Sequence, residues 1–320
     1  MTGTRATPSS SLRHPPLGYS SGTLPGAGPE ELARAVLGAG GTGVDLRIGK
    51  GHGWERDGVR PGIDRILRTG ADVFFVGVGW HLGDPARWPV GEEAVPAEYP
   101  VKVFCVQRPD PALVTEQLAA AAEAGLRPWV ETHAGGPDTA GLIDLADRTG
   151  VGVLVDLLGL AEIGGADRAQ LRALAPFVRA AQVKGVLRTP QGTRHRPLAP
   201  HDLSDLSYLL GLGPLHAVTV ESRAGTPDAD LAVLAAELAS PAAERAPGAT
   251  ESASPAAERA PRSTESASPA GSGTPRRAAP ADTGPDTTRP PLPGAIRPGT
   301  PSGRQPAAPT YPTEPGAAHS

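Results

Sequence analysis

Three carboxylates occupy matching places in the sequence, each closing a short apolar run: Glu131 in PWVETH, Asp156 in VGVLVDLLG and Glu221 in AVTVES. A carboxylate among so many aliphatic side chains is costly to keep ionised unless a cation, either Arg/Lys or a metal, stands beside it. A fourth run, AAQVKG, sets Gln182 at a comparable depth. Glu, Asp, Gln and Glu form an oxygen-rich set without sulfur, a chemistry that suits Mg2+ or Mn2+ better than Zn2+. Any one of the acids alone could simply cap the helix that follows it. All of them at the same depth point to a shared site.

The elements that would carry these residues alternate regularly. Strand candidates are Leu17–Ser20, Val44–Ile48, Val73–Val78, Val101–Val106, Pro128–Thr132, Val153–Leu157, Ala181–Lys184 and Val218–Glu221. Helix candidates are Pro29–Leu37, Pro111–Ala124, Asp138–Arg148, Ala166–Arg179, Asp202–Leu210 and Asp228–Ala239. Pro-Glu-Glu opens the first helix and Asp110 precedes the second, as helix starts favour. Apolar strands alternating with helices indicate a parallel sheet covered on both faces. Eight such units predict an α/β fold, a (β/α)8 TIM barrel over residues 16–239, with an open doubly wound sheet as the competitor. In such a barrel the carboxyl ends of the strands form the face where active sites lie. Residues 79–100 break the rhythm and read as a lid or substrate wall bearing Trp80, His81 and Trp88, or as a degenerate helix packed by its tryptophans.

On these residues the sequence resembles the xylose isomerase-like TIM barrels, the sugar phosphate isomerase/epimerase family, over about residues 15–240. WVETH, VLVD, AQVKG and VTVES carry the resemblance. The family's order of metal-binding residues at the ends of strands five to eight is Glu, Asp, His, Glu, and Gln182 stands here where many members have His. The hydroxypyruvate isomerase-like branch has Gln at that place, in a segment resembling Q-x-x-G-V-x-x-R-H-E-P. This chain has Gln182-Val-Lys-Gly-Val-Leu-Arg and, after an insertion, Arg194-His195-Arg196-Pro197, with Arg196 in place of the branch's Glu. The resemblance implies one divalent metal, Mg2+ or Mn2+, held by Glu131, Asp156, Gln182 and Glu221. It further implies that Glu131 and Glu221 flank a hydroxy-ketone or hydroxy-aldehyde, one removing a proton and the other returning it.

Further groups could meet a small-molecule substrate. His52 sits in GKGHGW after the second strand, where glycines let a ligand approach the backbone. Arg47, inside VDLRI, needs an anionic partner, either a substrate carboxylate or phosphate or a nearby acid. Lys184, one of three lysines in the chain, could steady an enediolate oxygen or pair with an acid. His133 follows Glu131 by two residues, and His195 rests on the family segment. Gly38-Ala-Gly40-Gly-Thr-Gly43 spells a dinucleotide fingerprint but precedes a strand, so no helix N-terminus stands behind it for a pyrophosphate. Cys105 lies inside an apolar strand and reads as a buried thiol.

Composition narrows the classes. The 320 residues carry a net charge of −4, which gives no excess of cations for a nucleic-acid backbone. The single cysteine excludes a disulfide framework and a cysteine-based metal cluster. The sequence has no membrane-length apolar run and no signal-peptide block, so we expect a cytoplasmic protein that binds neither membrane nor nucleic acid and could form a homo-oligomer. Residues 1–15 read as a flexible N-terminus. Residues 240–320 hold 17 prolines and a 14-residue repeat, SPAAERAPGATESA then SPAAERAPRSTESA, and read as a disordered tail. The sequence-level function is a divalent-metal-dependent isomerase or epimerase of a small hydroxy-carbonyl compound (sugar, sugar phosphate or hydroxy-keto acid) acting through an enediolate. The alternatives are a non-catalytic ligand- or partner-binding barrel and, less favoured, a metal-dependent endonuclease of the same fold family.

Overall fold

The computed structural model describes residues 14–88, 95–189 and 192–239; the segments read as a flexible N-terminus (residues 1–13 of it) and as a disordered tail lie outside them. Eight parallel strands close on themselves. In chain order they are β1 (Leu17–Ser20), β2 (Gly43–Arg47), β3 (Asp72–Leu82), β4 (Pro100–Cys105), β5 (Arg127–Glu131), β6 (Gly152–Asp156), β7 (Val178–Val183) and, after a two-stranded insertion of β8 (Val186–Thr189) and β9 (Gly192–His195), β10 (Ala217–Val220). β1 pairs with both β2 and β10, so the sheet has no free edge. The predicted TIM barrel is the observed fold.

Helices α1 (Pro29–Gly38), α2 (Val59–Arg68), α3 (Pro111–Glu123), α4 (Thr139–Thr149), α5 (Leu157–Glu162), α6 (Arg168–Leu174), α7 (Ser204–Leu212) and α8 (Pro227–Ala239) accompany the strands. Their ends follow from local chemistry. The carboxylates of Asp110, Asp138, Asp156 and Asp167 accept from the free amides opening α3, α4, α5 and α6, and Gly150 stops α4 in the left-handed conformation. The main core lies between the outer faces of the strands and these helices.

The period-two alternation of the strands layers the barrel lumen. Trp129, Leu154, Ala180 and Ala217 belong to a separate apolar cluster with Phe74 and Phe75. Two residues further along the same strands come Glu131, Asp156, Gln182 and Thr219. The lumen is therefore apolar below and polar at its carboxyl-end mouth. Register holds the polar layer level, with Gln182 facing Asp156 on one side and Thr219 on the other.

Four details differ from expectation. β3 runs on to Leu82, so residues 79–82 of the expected loop are strand; Trp80 then meets Trp88 edge-on at 5.6 Å, while residues 89–94 lie outside the described set. The helix expected over Ala166–Arg179 is only Arg168–Leu174, because Pro176 cannot donate to a continuing helix and β7 begins at Val178. α2 went unpredicted because Pro61 and Gly62 interrupt its pattern; a side chain at Gly62 would meet the Trp54 backbone at 2.3 Å. α5 is short and follows directly on β6.

Candidate active site

The three acids and Gln182 do meet at one mouth, but their partners are lysines. Glu131 ends β5, Asp156 ends β6, Gln182 lies near the end of β7, and Glu221 follows β10 with its backbone N–H still donating to Val183 O at 2.9 Å. All four are buried. Lys184 Nζ lies 2.7 Å from Asp156 Oδ2 and 2.7 Å from Glu221 Oε2. Lys102 Nζ, from β4, lies 3.3 Å from Glu131 Oε2 and donates to Gln182 Oε1 at 3.2 Å. Arg47 Nη1 and Arg223 Nη2 each lie 2.7 Å from Glu221 Oε1.

A second buried acid layer supports this one. Asp45, on β2, is fully buried and accepts from Ser20 Oγ at 2.9 Å, Thr219 Oγ1 at 2.6 Å and Gln182 Nε2 at 3.3 Å. Gln182 thus spans the lumen, its amide nitrogen on Asp45 and its amide oxygen on Lys102. Sequence reasoning missed Asp45, Lys102 and Arg223. The signal for the first two was a charged residue flanked on both sides by apolar ones within a strand, in GVDLR and PVKVFC.

The electrostatics follow from this geometry. Burial raises the Glu131 carboxyl, against the pull of Lys102, and Asp156 adds to the rise. Burial also raises Asp45. Glu221 goes the other way: burial opposes it, but Lys184, Arg47 and Lys102 hold it well below the usual carboxylate range. Lys184 is raised despite its burial, because Asp156 and Glu221 stabilise its charge. A recess with room for little more than one water molecule opens between Arg47, Lys50, Lys102, Phe104 and Glu131.

The remaining predicted residues ring the same mouth. His52 Nδ1 is 3.1 Å from Ser21 Oγ, and burial and Arg47 lower its pKa. His195, on β9, has a buried Nδ1 without a partner among the described residues; burial and then Arg223 and Lys184 lower its pKa. His133 lies edge-on to Phe104 at 4.6 Å, its Nε2 3.3 Å from Cys105 O. The Cys105 thiol is buried and pushed up to about 12, as an inert core thiol should be.

Among the described residues, no three acidic, His or Cys side chains are grouped so as to hold a metal ion. The four oxygen donors are instead divided between two ammonium groups. The cluster of Asp45, Glu131, Asp156 and Glu221 is already balanced by Lys102, Lys184, Arg47 and Arg223. The residues as arranged do not fit a divalent cation.

Among solved structures, the chain is similar to D-psicose 3-epimerase with D-tagatose from Clostridium cellulolyticum H10 (10% identity over 69% of this chain and 98% of that one, TM-score 0.49). It is also similar to the 3-keto-D-glucoside 4-epimerase YcjR from E. coli (14%, 70% and 98%, TM-score 0.48) and to a xylose isomerase domain protein from Planctomyces limnophilus (16%, 71% and 98%, TM-score 0.47). No protein-family model and no curated protein sequence matches the chain. No described helix is long and apolar enough to cross a membrane.

Proposed function

We propose that the chain is an isomerase of a small α-hydroxy-carbonyl compound (sugar, sugar phosphate or hydroxy-keto acid) that works by proton transfer through an enediolate. The observation that carries this reading is the pairing of Glu131 and Lys102 in one recess at the barrel mouth. Glu131 is a buried carboxyl with a raised pKa, a property that suits a group taking a proton from carbon and giving it back. Lys102 supplies the positive charge that an oxyanion needs.

Glu131 removes the proton from the carbinol carbon. That C–H electron pair becomes the double bond to the neighbouring carbon, and the carbonyl oxygen takes up the negative charge beside the Lys102 ammonium. The hydroxyl proton passes to that oxygen, and protonated Glu131 returns its proton to the former carbonyl carbon. Glu221, expected from the resemblance to share the proton traffic, is here the counter-ion of Lys184, Arg47 and Arg223, and one base serves both carbons. Arg47 and Lys50 line the recess and would meet an anionic group on the substrate. His52, His133, Lys184 and His195 surround the mouth as candidate substrate contacts.

The test is solvent exchange. Incubated in D2O with a panel of hydroxy-ketones, hydroxy-aldehydes, sugar phosphates and hydroxy-keto acids, the protein is expected to place deuterium at the carbon next to the carbonyl of one of them. Saturable binding without exchange would identify a ligand-binding barrel and end the enzymatic reading.

A further inference from the structure

We infer that Lys102 and Lys184 take the place of a divalent cation at the barrel mouth, so that the site binds no metal and the electrophile of the reaction is an ammonium group. The four side chains whose types and depth call for a cation each have an oxygen on one of these two nitrogens. Lys184 Nζ bridges Asp156 and Glu221 at 2.7 Å each, and Lys102 Nζ bridges Glu131 and Gln182 at 3.3 and 3.2 Å. A bound Mg2+ would need such oxygens at about 2.0–2.1 Å, where it competes with the ammonium protons aimed at them and is repelled by the two ammonium charges beside it. Charge argues the same way. Four buried or half-buried cations already match four buried carboxylates, and two further positive charges would leave a surplus in a region with little water.

Composition gives an independent indication. The chain has only three lysines against 27 arginines, and all three lie at this mouth: Lys50 and Lys102 line the recess, and Lys184 joins the two acids. Arginine serves wherever else a cation is needed. An ammonium differs from a guanidinium in being a compact point charge, closer in shape to a metal ion than a planar fork is. The backbone also makes room for it: a side chain on Gly77 would meet Lys102 Cε at 2.9 Å, so a glycine on the neighbouring strand admits the lysine stem. Both lysine side chains are at least nine-tenths buried, which presents them to a bound oxygen largely free of competing water. The role of this ammonium pair in polarising a substrate carbonyl rests on the isomerase reading; its occupation of the cation position does not.

The experiment is a Mn2+ titration of the full-length chain after chelator treatment, with free Mn2+ read by electron paramagnetic resonance. The wild-type protein is expected to take up no stoichiometric Mn2+ at concentrations up to about 100 µM, and Lys184→Met, which frees Asp156 and Glu221, to bind one Mn2+ at least about tenfold more tightly than wild type. Lys102→Met is the second variant should Lys184→Met fail to give a native circular dichroism spectrum. One wild-type equivalent bound at micromolar affinity overturns the inference, and so does equal silence of the wild type and every folded lysine variant. Exchange into a substrate that survives EDTA supports it, whereas exchange that appears only on adding Mn2+ overturns it. Absence of exchange with every substrate defeats the isomerase reading alone, because the titration is read without turnover.

Discussion

Gln182 donates from Nε2 to Asp45 Oδ2 at 3.3 Å, and this contact decides which end of the amide faces Lys102. Asp45 is an acceptor only, so the amide nitrogen must point to it and the amide oxygen toward the ammonium. The relay from Ser20 and Thr219 through Asp45, Gln182 and Lys102 to Glu131 fixes the position of the Lys102–Glu131 pair from a carboxylate that lies below the mouth. A histidine at position 182 would lack the fork that joins a carboxylate to an ammonium.

Asp45→Ala therefore removes the acceptor for three buried donors, Ser20 Oγ, Thr219 Oγ1 and Gln182 Nε2. It also removes the carboxyl that Lys102 acts on from within the lumen. The expected loss is about 3–5 kcal/mol of unfolding free energy, read from urea denaturation. A loss below about 1 kcal/mol would show that the relay contributes little to stability.

Lys184→Met should change how stability depends on pH. In the wild type Glu221 is held below its unfolded pKa of about 4.3, so its contribution is present above that pH and is lost as pH falls through the folded value. Glu131 and Asp45 have raised values and slope the other way: their contribution is present at low pH and is lost as pH rises through the folded values. Without Lys184, Glu221 keeps Arg47, Arg223 and Lys102 but loses its largest single cationic partner, so its value moves up toward the ordinary carboxylate range. The variant is expected to be about 3–5 kcal/mol less stable than wild type at pH 7, with the gap narrowing toward pH 3–4 as Glu221 takes up its proton. Urea midpoints across that range decide it, and a gap independent of pH would contradict the pairing.

The barrel was legible because strands buried on both faces write themselves as short apolar runs, and eight such runs separated by helices have few ways to pack. The acids at the strand ends were legible for the same reason, since Glu131, Asp156 and Glu221 each close such a run. Their partners were not. Strand periodicity places a residue at a height in the lumen, but it does not say which side chain stands opposite across the barrel. Lys102 on β4 and Asp45 on β2 meet Gln182 on β7 only through closure, over separations of 80 and 137 residues. The metal expectation was drawn without these lysines in view. The oxygen-rich set called for a cation, and in this structure the Lys102 and Lys184 ammonium groups stand beside its oxygens.

Glu131→Gln keeps the size of the side chain and removes its ability to accept a proton from carbon. Solvent exchange should fall by about 10²–10⁴-fold, with the far-ultraviolet circular dichroism spectrum unchanged. In the wild type the exchange rate should decline as pH drops through the raised Glu131 value, giving an apparent pKa above the usual carboxylate range. Exchange retained at wild-type level in the glutamine variant would remove Glu131 from the mechanism.

Gly18→Ala tests the closure of the barrel itself. Gly18 lies on β1 opposite Gly43 of β2, and a methyl group there would fall 1.8 Å from the Gly43 carbonyl oxygen and 2.7 Å from the Phe74 ring. The carbonyl belongs to the backbone of a paired strand and cannot swing aside, so β1 must move away from β2. Because β1 also pairs with β10, that movement opens the seam where the sheet closes. The variant is expected to lose at least about 3 kcal/mol and to lower the thermal midpoint by several degrees, in the range of severe core overpacking. Gly22→Ala makes the matched control. Its methyl group meets the ends of the Glu221 and Arg47 side chains, at 2.9 and 3.1 Å, an ion pair that must give by a few tenths of an ångström but involves no paired-strand backbone. It should cost less than about 1 kcal/mol, and equal losses at the two positions would argue that the seam is no tighter than the mouth.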